Sequence, residues 1–357
     1  MKRFSFLLNV VTVLIIVFPA AGQDKSSQLK EYMKNISEQN DFHGSVLIAQ
    51  EGDVILKQGY GYANHDWNIP NSIDTKFKIG SITKPFTAIL TMQLVENNLL
   101  KLDDTISDYL VDYPSSTGKI ITIHHLLTHT SGIPDYLRLP QFNEDSDSLR
   151  LSFEPEELIG IVKDIPLDFE PGTDFQYSNS GYIILGMIIE SITGIPWESV
   201  VQEQILYPIG MYNTGYDMDG TVTNHRANGY NEIDDGYKNA PYVDISLFGS
   251  AGGLYSTIED LFLLDQALYT DKLLSKKYRD IMFQSHLTTP SGNGQGYGWD
   301  IVINPLRFIG HMGDASGFMC VIARMKDDKN TIIVLSNVHE TNLRVLVKEI
   351  YDILYST

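Results

Sequence analysis

The order of hydrophobic patterns along the chain constrains its fold most, because strand patterns occur at both ends and helical patterns lie between them. Near the N-terminus, segments 45–50 and 54–62 are predicted strands, and the turn residues between them indicate a hairpin. Toward the C-terminus, the predicted strands are 297–303, 307–311, 318–325 and 331–338. We therefore expect one mostly antiparallel sheet built from both chain ends.

Helical periodicity fills the middle of the chain. The predicted helices there are 84–97, 123–128, 181–191 and 258–268. Segment 181–191 is apolar nearly all round, which indicates a buried helix, and Gly194 supplies its C-terminal stop. A last helix carries one amphipathic face, formed by Leu343, Leu346, Val347, Ile350 and Leu354. Residues 212–246 are rich in Tyr, Asn, Asp and Gly, and we interpret them as a long ordered loop region.

These patterns predict an α/β fold. A mostly antiparallel sheet from both chain ends would be flanked by helices, with a large, mainly helical region inserted. The predicted division is a sheet domain at 23–80 and 294–357 and a helical region at 81–293, with the active site between them.

The first 22 residues have the pattern of a secretory signal peptide. Lys2 and Arg3 precede an apolar run at 4–18, and small residues follow at 20–22. The run is short for a membrane span, which disfavours an uncleaved anchor. We therefore expect cleavage after Gly22 and an exported protein, periplasmic or secreted, with no stable membrane anchor.

Composition excludes several function classes. The formal charge is −19, from 26 Lys and Arg against 45 Asp and Glu, which argues against a nucleic-acid partner. Cys320 is the single cysteine, so no intrachain disulfide and no cysteine-based metal site can form. His125 and His129 are spaced i, i+4, but no acidic residue completes a metal set beside them, so we expect polar residues at a helix end rather than zinc.

One of three S-x-x-K sequences stands in a context that suits a nucleophile. Ser81 and Lys84 are followed at once by Pro85 and a strong helix, whereas the sequences that begin at Ser27 and Ser116 lack this context. Proline is tolerated in the first turn of a helix, so Ser81 should lie at or just before a helix N-terminus. Positions i and i+3 share a helical face, which lets the amine reach the hydroxyl. The alternative is a serine cap beside a surface lysine.

Two further segments could complete such a site. Tyr177 and Asn179 follow a turn at 170–172, and in an extended segment residues i and i+2 point to the same side. His311 and Gly313 lie on a predicted strand, where a glycine would let a substrate backbone lie along the strand. The alternatives are a core aromatic residue for Tyr177 and an ordinary strand residue for His311.

Together the three motifs resemble the penicillin-recognising serine hydrolase superfamily, in the branch of class C β-lactamases, D-alanyl-D-alanine carboxypeptidases, D-amino-acid peptidases and related esterases. The motifs, in order, are Ser81-x-x-Lys84, Tyr177-x-Asn179 and His311-x-Gly313. Further similar stretches are 77–88, 125–133, 170–186, 207–214 and 251–260. The resemblance covers roughly residues 40–355 and implies a β-lactamase/transpeptidase-like fold.

The resemblance also implies an acyl-enzyme mechanism. Ser81 would be the nucleophile, Lys84 and Tyr177 would share the proton transfers, and the backbone N–H groups of Ser81 and Asp314 would form the oxyanion hole. Asn179 would hold the substrate amide. No metal or organic cofactor is implied.

The third motif departs from the Lys-Thr-Gly of class C β-lactamases, because His311 replaces the lysine. His311 would add polarity or positive charge on the strand side of the site. This resembles carboxypeptidases, aminopeptidases and esterases more. We therefore expect a D-alanyl-D-alanine carboxypeptidase- or D-amino-acid-peptidase-like hydrolase acting on a small peptide or ester substrate, including peptidoglycan fragments. The alternatives are a carboxylesterase, a class C-like β-lactamase and a slow-deacylating penicillin-binding sensor.

Overall fold

The structure is a computed structural model that describes residues 24–39, 42–143, 146–218, 220–303 and 306–356, so the predicted signal peptide lies outside the described residues. The strands are β1 Gly44–Gln50, β2 Asp53–Tyr60, β3 Tyr62–Asn64, β4 Ile69–Pro70, β5 Phe77–Lys78, β6 Gly215–Tyr216, β7 Tyr230–Ile233, β8 Gly236–Asn239, β9 Leu254–Ser256, β10 Leu287–Thr288, β11 Gly294–Gln295, β12 Asp300–Val302, β13 Phe308–Ala315, β14 Phe318–Met325 and β15 Asn330–Ser336. The α-helices are α1 Lys25–Glu38, α2 Thr83–Glu96, α3 Ser115–Gly118, α4 Ile123–Leu127, α5 Pro155–Val162, α6 Asn179–Thr193, α7 Trp197–Val201, α8 Tyr207–Ile209, α9 Gly249–Gly252, α10 Ile258–Ala267, α11 Lys276–Met282 and α12 Leu343–Tyr355.

The main sheet is built from both chain ends. Its eight strands follow the order β10-β11-β12-β13-β14-β15-β1-β2, and the neighbouring strands pair antiparallel. The N-terminal hairpin joins the C-terminal strands where β1 pairs with β15, with Val46 opposite Val334. The predicted fold class is confirmed. The division into domains at 23–80 with 294–357 and at 81–293 stays a prediction.

Helices cover both faces of this sheet, so there are two hydrophobic cores. Side chains on a strand alternate between faces, and along β1 Leu47 packs in the core on the helical-region side while Val46 and Ile48 pack in the other core. That second core includes Leu29 of α1 together with the amphipathic face of α12. The face predicted for the last helix is therefore confirmed.

The buried helix of the middle region also agrees with its pattern. Helix α6 is buried along most of its length and ends at Gly194, whose φ of 74° is the left-handed conformation that glycine adopts most easily. Within the described ranges no single helix is long and apolar enough to span a membrane, and only the bent pair Asn179–Thr193 and Trp197–Ile209 meets that test together.

Several element boundaries differ from the predictions. The predicted strand 54–62 is divided into β2 and β3 at Gly61, where φ is 60°. The predicted strand 297–303 contains only the short β12, whereas β13 extends past 311 to Ala315. The long loop predicted for 212–246 is wrong in part, because it contains β6 and the β7–β8 hairpin.

The hairpin has a tertiary cause. The backbone N–H of Tyr230 donates to the carbonyl of Asn337 at 3.0 Å, and the N–H of His339 donates to the carbonyl of Tyr230 at 3.0 Å. These bonds align β7 beside the chain that leaves β15. A distant segment therefore holds a polar sequence with weak strand propensity in an extended conformation.

Candidate active site

The Ser81-x-x-Lys84 sequence forms the entrance to α2. Residues Gly80–Ile82 make one turn of 3-10 helix that leads directly into α2 at Thr83. Pro85 is the third residue of α2, where its missing N–H removes no intrahelical bond. The Lys84 Nζ lies 3.1 Å from the Ser81 Oγ. The predicted reach of the amine to the hydroxyl is thus present.

The Lys84 amine is buried and has three hydrogen-bond partners. Besides Ser81, its Nζ donates to Asn179 Oδ1 at 2.8 Å and to the carbonyl of Ala251 at 2.9 Å. These two oxygens only accept, so a neutral amine uses both of its hydrogens there and its lone pair is left for the Ser81 hydroxyl. The arrangement is therefore suited to receive a proton from Ser81.

Burial sets the protonation state of this amine. Desolvation lowers the pKa of Lys84 to about 7, against the opposing effect of the Asp135 and Asp300 carboxylates. At neutral pH a large fraction of Lys84 is the free amine. A serine hydroxyl needs such a base, because it is a poor nucleophile alone.

The Tyr177 ring lies next to the Lys84 amine. The Lys84 Nζ is 4.7 Å from the centre of the Tyr177 ring. Burial raises the pKa of Tyr177 well above its ordinary value, and its hydrogen bond with Ser81 opposes this. The phenol is therefore neutral at pH 7 and can pass a proton on only as it receives another.

Asn179 is the first residue of α6, so treating 177–179 as extended is correct only as far as Ser178. The Asn179 carboxamide bridges two ionisable side chains, since its Oδ1 accepts from Lys84 and its Nδ2 donates to Asp135 Oδ2 at 3.0 Å. The Asn179 backbone N–H also donates to that carboxylate, at 3.3 Å. Among the described residues, the second Nδ2 hydrogen has no acceptor.

Strand β13 packs against the Ser81 turn through two glycines. A Cβ on Gly313 would fall 1.9 Å from the Ile79 carbonyl oxygen, and one on Gly80 would fall 2.4 Å from the Asp314 carbonyl oxygen. The missing side chain of Gly313 thus makes room for the protein's own backbone, which is not the reason that the sequence suggested. The approach brings the backbones of Ser81 and Asp314 close together.

His311 lies beside this contact, with its ring centre 6.3 Å from that of Tyr177. Its Nδ1 lies 2.6 Å from the carbonyl oxygen of Met312, which can only accept, so Nδ1 carries the proton. Burial lowers the pKa of His311, an effect that Asp300 opposes and Lys84 increases. His311 is therefore a neutral imidazole at pH 7 with its lone pair on Nε2.

The structure adds three residues to the site that the motif analysis did not assign to it. Asp135 is buried and holds Asn179, and Asp300, opposite Gly310 in the sheet, acts electrostatically on Lys84. His129 stacks on Tyr177. Only His129 had a signal in the sequence, because it lies in the similar stretch 125–133.

The two histidines of that stretch, His125 and His129, lie in different environments. His125 accepts the backbone N–H of Thr122 at 3.2 Å, as expected of a polar residue at a helix end. His129 instead lies in the site. In the described part of the chain, no group of three or more His, Cys, Asp or Glu residues could hold a metal ion.

A sequence profile of the beta-lactamase family matches residues 29–355. The chain belongs to the beta-lactamase family. Penicillin-binding protein 4* of Bacillus subtilis (strain 168) is 30% identical over 336 residues, which cover 89% of this chain and 73% of that protein. As a member of this family, which includes penicillin-binding proteins, the chain is a serine hydrolase.

Solved structures agree with this beta-lactamase family assignment. A penicillin-binding protein from Bacillus halodurans has a TM-score of 0.78 at 30% identity, covering 92% of this chain and 98% of its own. The D-amino acid amidase from Ochrobactrum anthropi SV3, with L-phenylalanine amide bound, has a TM-score of 0.81 at 22% identity, covering 93% and 99%. At that identity the second likeness shows a shared fold.

Proposed function

We propose that this beta-lactamase family member hydrolyses an amide bond in a small D-amino-acid peptide through an acyl-enzyme on Ser81. The observation that carries the proposal is the buried Lys84 amine, whose two acceptor-only partners direct its lone pair at the Ser81 hydroxyl. A carboxylesterase is the second candidate, because the same nucleophile and base can attack an ester carbonyl and release an alcohol instead of an amine.

The proposed acylation uses only groups on this chain. Ser81 Oγ bonds to the substrate carbonyl carbon as its proton passes to Lys84. The oxyanion is stabilised by the N–H groups of Ser81 and Asp314, and one such donor contributes about 3–4 kcal/mol in comparable enzymes. The carbon–nitrogen bond then breaks, and the leaving nitrogen takes its proton from the Lys84–Tyr177 pair. Water repeats the sequence and releases the acid.

The strand side of the site attracts an anionic substrate group only weakly. His311 is neutral and donates its Nδ1 hydrogen to Met312, so it offers a lone pair rather than a cation. A carboxylate, as in a β-lactam, is attracted less by such a group than by an ammonium ion. The formal charge of −19 further disfavours long-range capture of anions.

The first prediction tests substrate class. The purified protein is given a D-Ala-D-Ala peptide, the same peptide with an amidated C-terminus, a short-chain aryl ester and a cephalosporin. We expect the amidated peptide and the ester to be hydrolysed at least about 100-fold faster than the cephalosporin. The measurements are kcat/KM for each substrate and intact mass, which would reveal a trapped acyl-enzyme.

Charge at residue 311 is then changed directly. His311→Lys is expected to raise acylation by the cephalosporin about tenfold, because it restores a cation. His225→Lys adds the same charge at an exposed position and should have no effect. Wild-type cephalosporin turnover with kcat/KM on the order of 10⁶ M⁻¹s⁻¹ would replace this proposal with the β-lactamase alternative. A stable acyl mass without turnover would favour the penicillin sensor.

The second prediction concerns export, which we propose from the signal-peptide pattern at 1–22. Protein recovered from the exported fraction should begin close to Gln23, as read by N-terminal sequencing. Replacing Leu14 and Ile15 by aspartate should block export, because charges interrupt the apolar run. An intact Met1 in a membrane pellet would contradict cleavage. An exported enzyme would meet peptidoglycan fragments, the physiological substrates that we propose.

A further inference from the structure

His129 has a backbone conformation that is uncommon for residues other than glycine. Its φ is 59°, in the left-handed region that residues with a Cβ seldom occupy, and only 2% of its surface is exposed. Such conformations cost free energy and persist where surrounding contacts enforce them, most often at functional sites. The contacts of His129 therefore indicate what the conformation serves.

Several of those contacts lead to the segment that carries Tyr177. The carbonyl of His129 accepts the N–H of Gln176 at 3.0 Å, and its Nδ1 accepts the N–H of Ser178 at 3.2 Å. The imidazole stacks on the Tyr177 ring, with the ring centres 4.4 Å apart and the planes 29° apart. One residue thus binds the backbone on both sides of Tyr177 and covers its ring.

The protonation state of the imidazole follows from these partners. Because Nδ1 accepts a hydrogen bond, the single proton of the neutral ring is on Nε2, and that atom has no hydrogen-bond partner in the described part of the chain. Burial lowers the pKa of His129 well below its ordinary value, and Lys84 and His311 lower it further in their protonated forms. The ring remains neutral beside Lys84.

We propose that His129 is a positioning residue that holds the Tyr177 phenol and its backbone against Ser81 and Lys84. The inference rests on the proposed function in so far as Tyr177 transfers protons there. His129 touches neither the nucleophile nor the substrate in this scheme, and it acts through the stacked ring and the Ser178 N–H. Its loss should lower the rate of the chemical step while substrate binding is retained.

Three variants separate the two contacts. His129→Asn keeps an acceptor near the position of Nδ1 and tolerates the left-handed backbone, but it removes the ring. His129→Phe keeps the ring and leaves the Ser178 N–H without its acceptor. His129→Ala removes both. Matched controls are His225→Asn, His225→Phe and His225→Ala, because His225 has a φ of 61° and is exposed.

With the aryl ester as substrate, we expect His129→Ala to lower kcat about 100-fold with KM within about threefold of wild type, since a 1 Å misplacement can cost this much. The Asn and Phe variants should each recover part of the loss, near tenfold below wild type. Wild-type kcat in a folded His129→Ala protein, or a rise of KM in step with the loss, overturns the inference. Should His129→Ala not fold, the Asn and Phe variants decide by the same criteria.

A second readout does not depend on turnover. In protein labelled with ¹³C-tyrosine, the Tyr177 ring signal is assigned by its loss in Tyr177→Phe. That signal should move in His129→Asn because the stacked ring is gone, and stay in place in His225→Asn. An unmoved signal overturns the inference, whereas a moved signal in an inactive wild-type protein supports the positioning and contradicts only the proposed hydrolysis.

Discussion

Ser81→Ala is expected to abolish turnover and covalent labelling by a serine-reactive phosphonate, with a rate loss of roughly 10⁴–10⁶-fold. The variant removes the only atom that would bond to the substrate. Lys84 keeps its hydrogen bonds to Asn179 and Ala251, so the fold should survive. The measurements are kcat/KM for the aryl ester and intact mass after phosphonate treatment.

The chain supplies its own controls for this experiment. Ser27 and Ser116 begin the other two S-x-x-K sequences, and both are exposed serines within helices, α1 and α3. Ser27→Ala and Ser116→Ala should label and turn over like wild type. A phosphonate adduct that persists on Ser81→Ala, or that maps to either control serine, would sink the assignment of the nucleophile.

Elements whose own residues show a clear hydrophobic pattern or stop residue were predictable from the sequence. Helix α12 shows its buried face as a periodic pattern, and α6 is apolar along its length and ends at Gly194. Helix α1 was missed because only Leu29 and Met33 are buried in an otherwise polar segment. The β7–β8 hairpin was missed for a different reason, since its first strand is also held by backbone bonds to residues about a hundred positions away.

The same distinction applies to the candidate site. Ser81 and Lys84 are one helical turn apart, so their contact follows from local geometry. Asp135 contacts Asn179 only because the 3-10 turn after residue 135 packs against α6. No residue spacing in the sequence predicts this contact. The reason for a glycine at 313 could not be predicted either, because the atom that it makes room for belongs to residue 79. Long-range packing decides all such contacts.

Lys84→Ala combined with Tyr177→Phe is expected to be little worse than the poorer single variant, because we propose that the two side chains form one proton-transfer unit. Each single variant should lower kcat/KM roughly 10³-fold, since either leaves a proton without a path from Ser81 to the leaving group. Independent roles would instead multiply to about 10⁶-fold. Tyr182→Phe is the matched control, because its ring lies 5.5 Å from the Lys84 Nζ but its hydroxyl donates to the Leu127 carbonyl.

The pH dependence of the same proteins identifies the base. Lys84 must be the free amine to accept the Ser81 proton, and burial lowers its pKa to about 7. In wild type, log kcat/KM should therefore fall with unit slope below pH 7, reaching about one hundredth of its plateau at pH 5. Tyr177→Phe should retain this limb at a lower plateau, because Lys84 still titrates, whereas Lys84→Ala should lose it. An acid limb that survives in Lys84→Ala would assign the base to another group, and the shared-unit interpretation would be wrong.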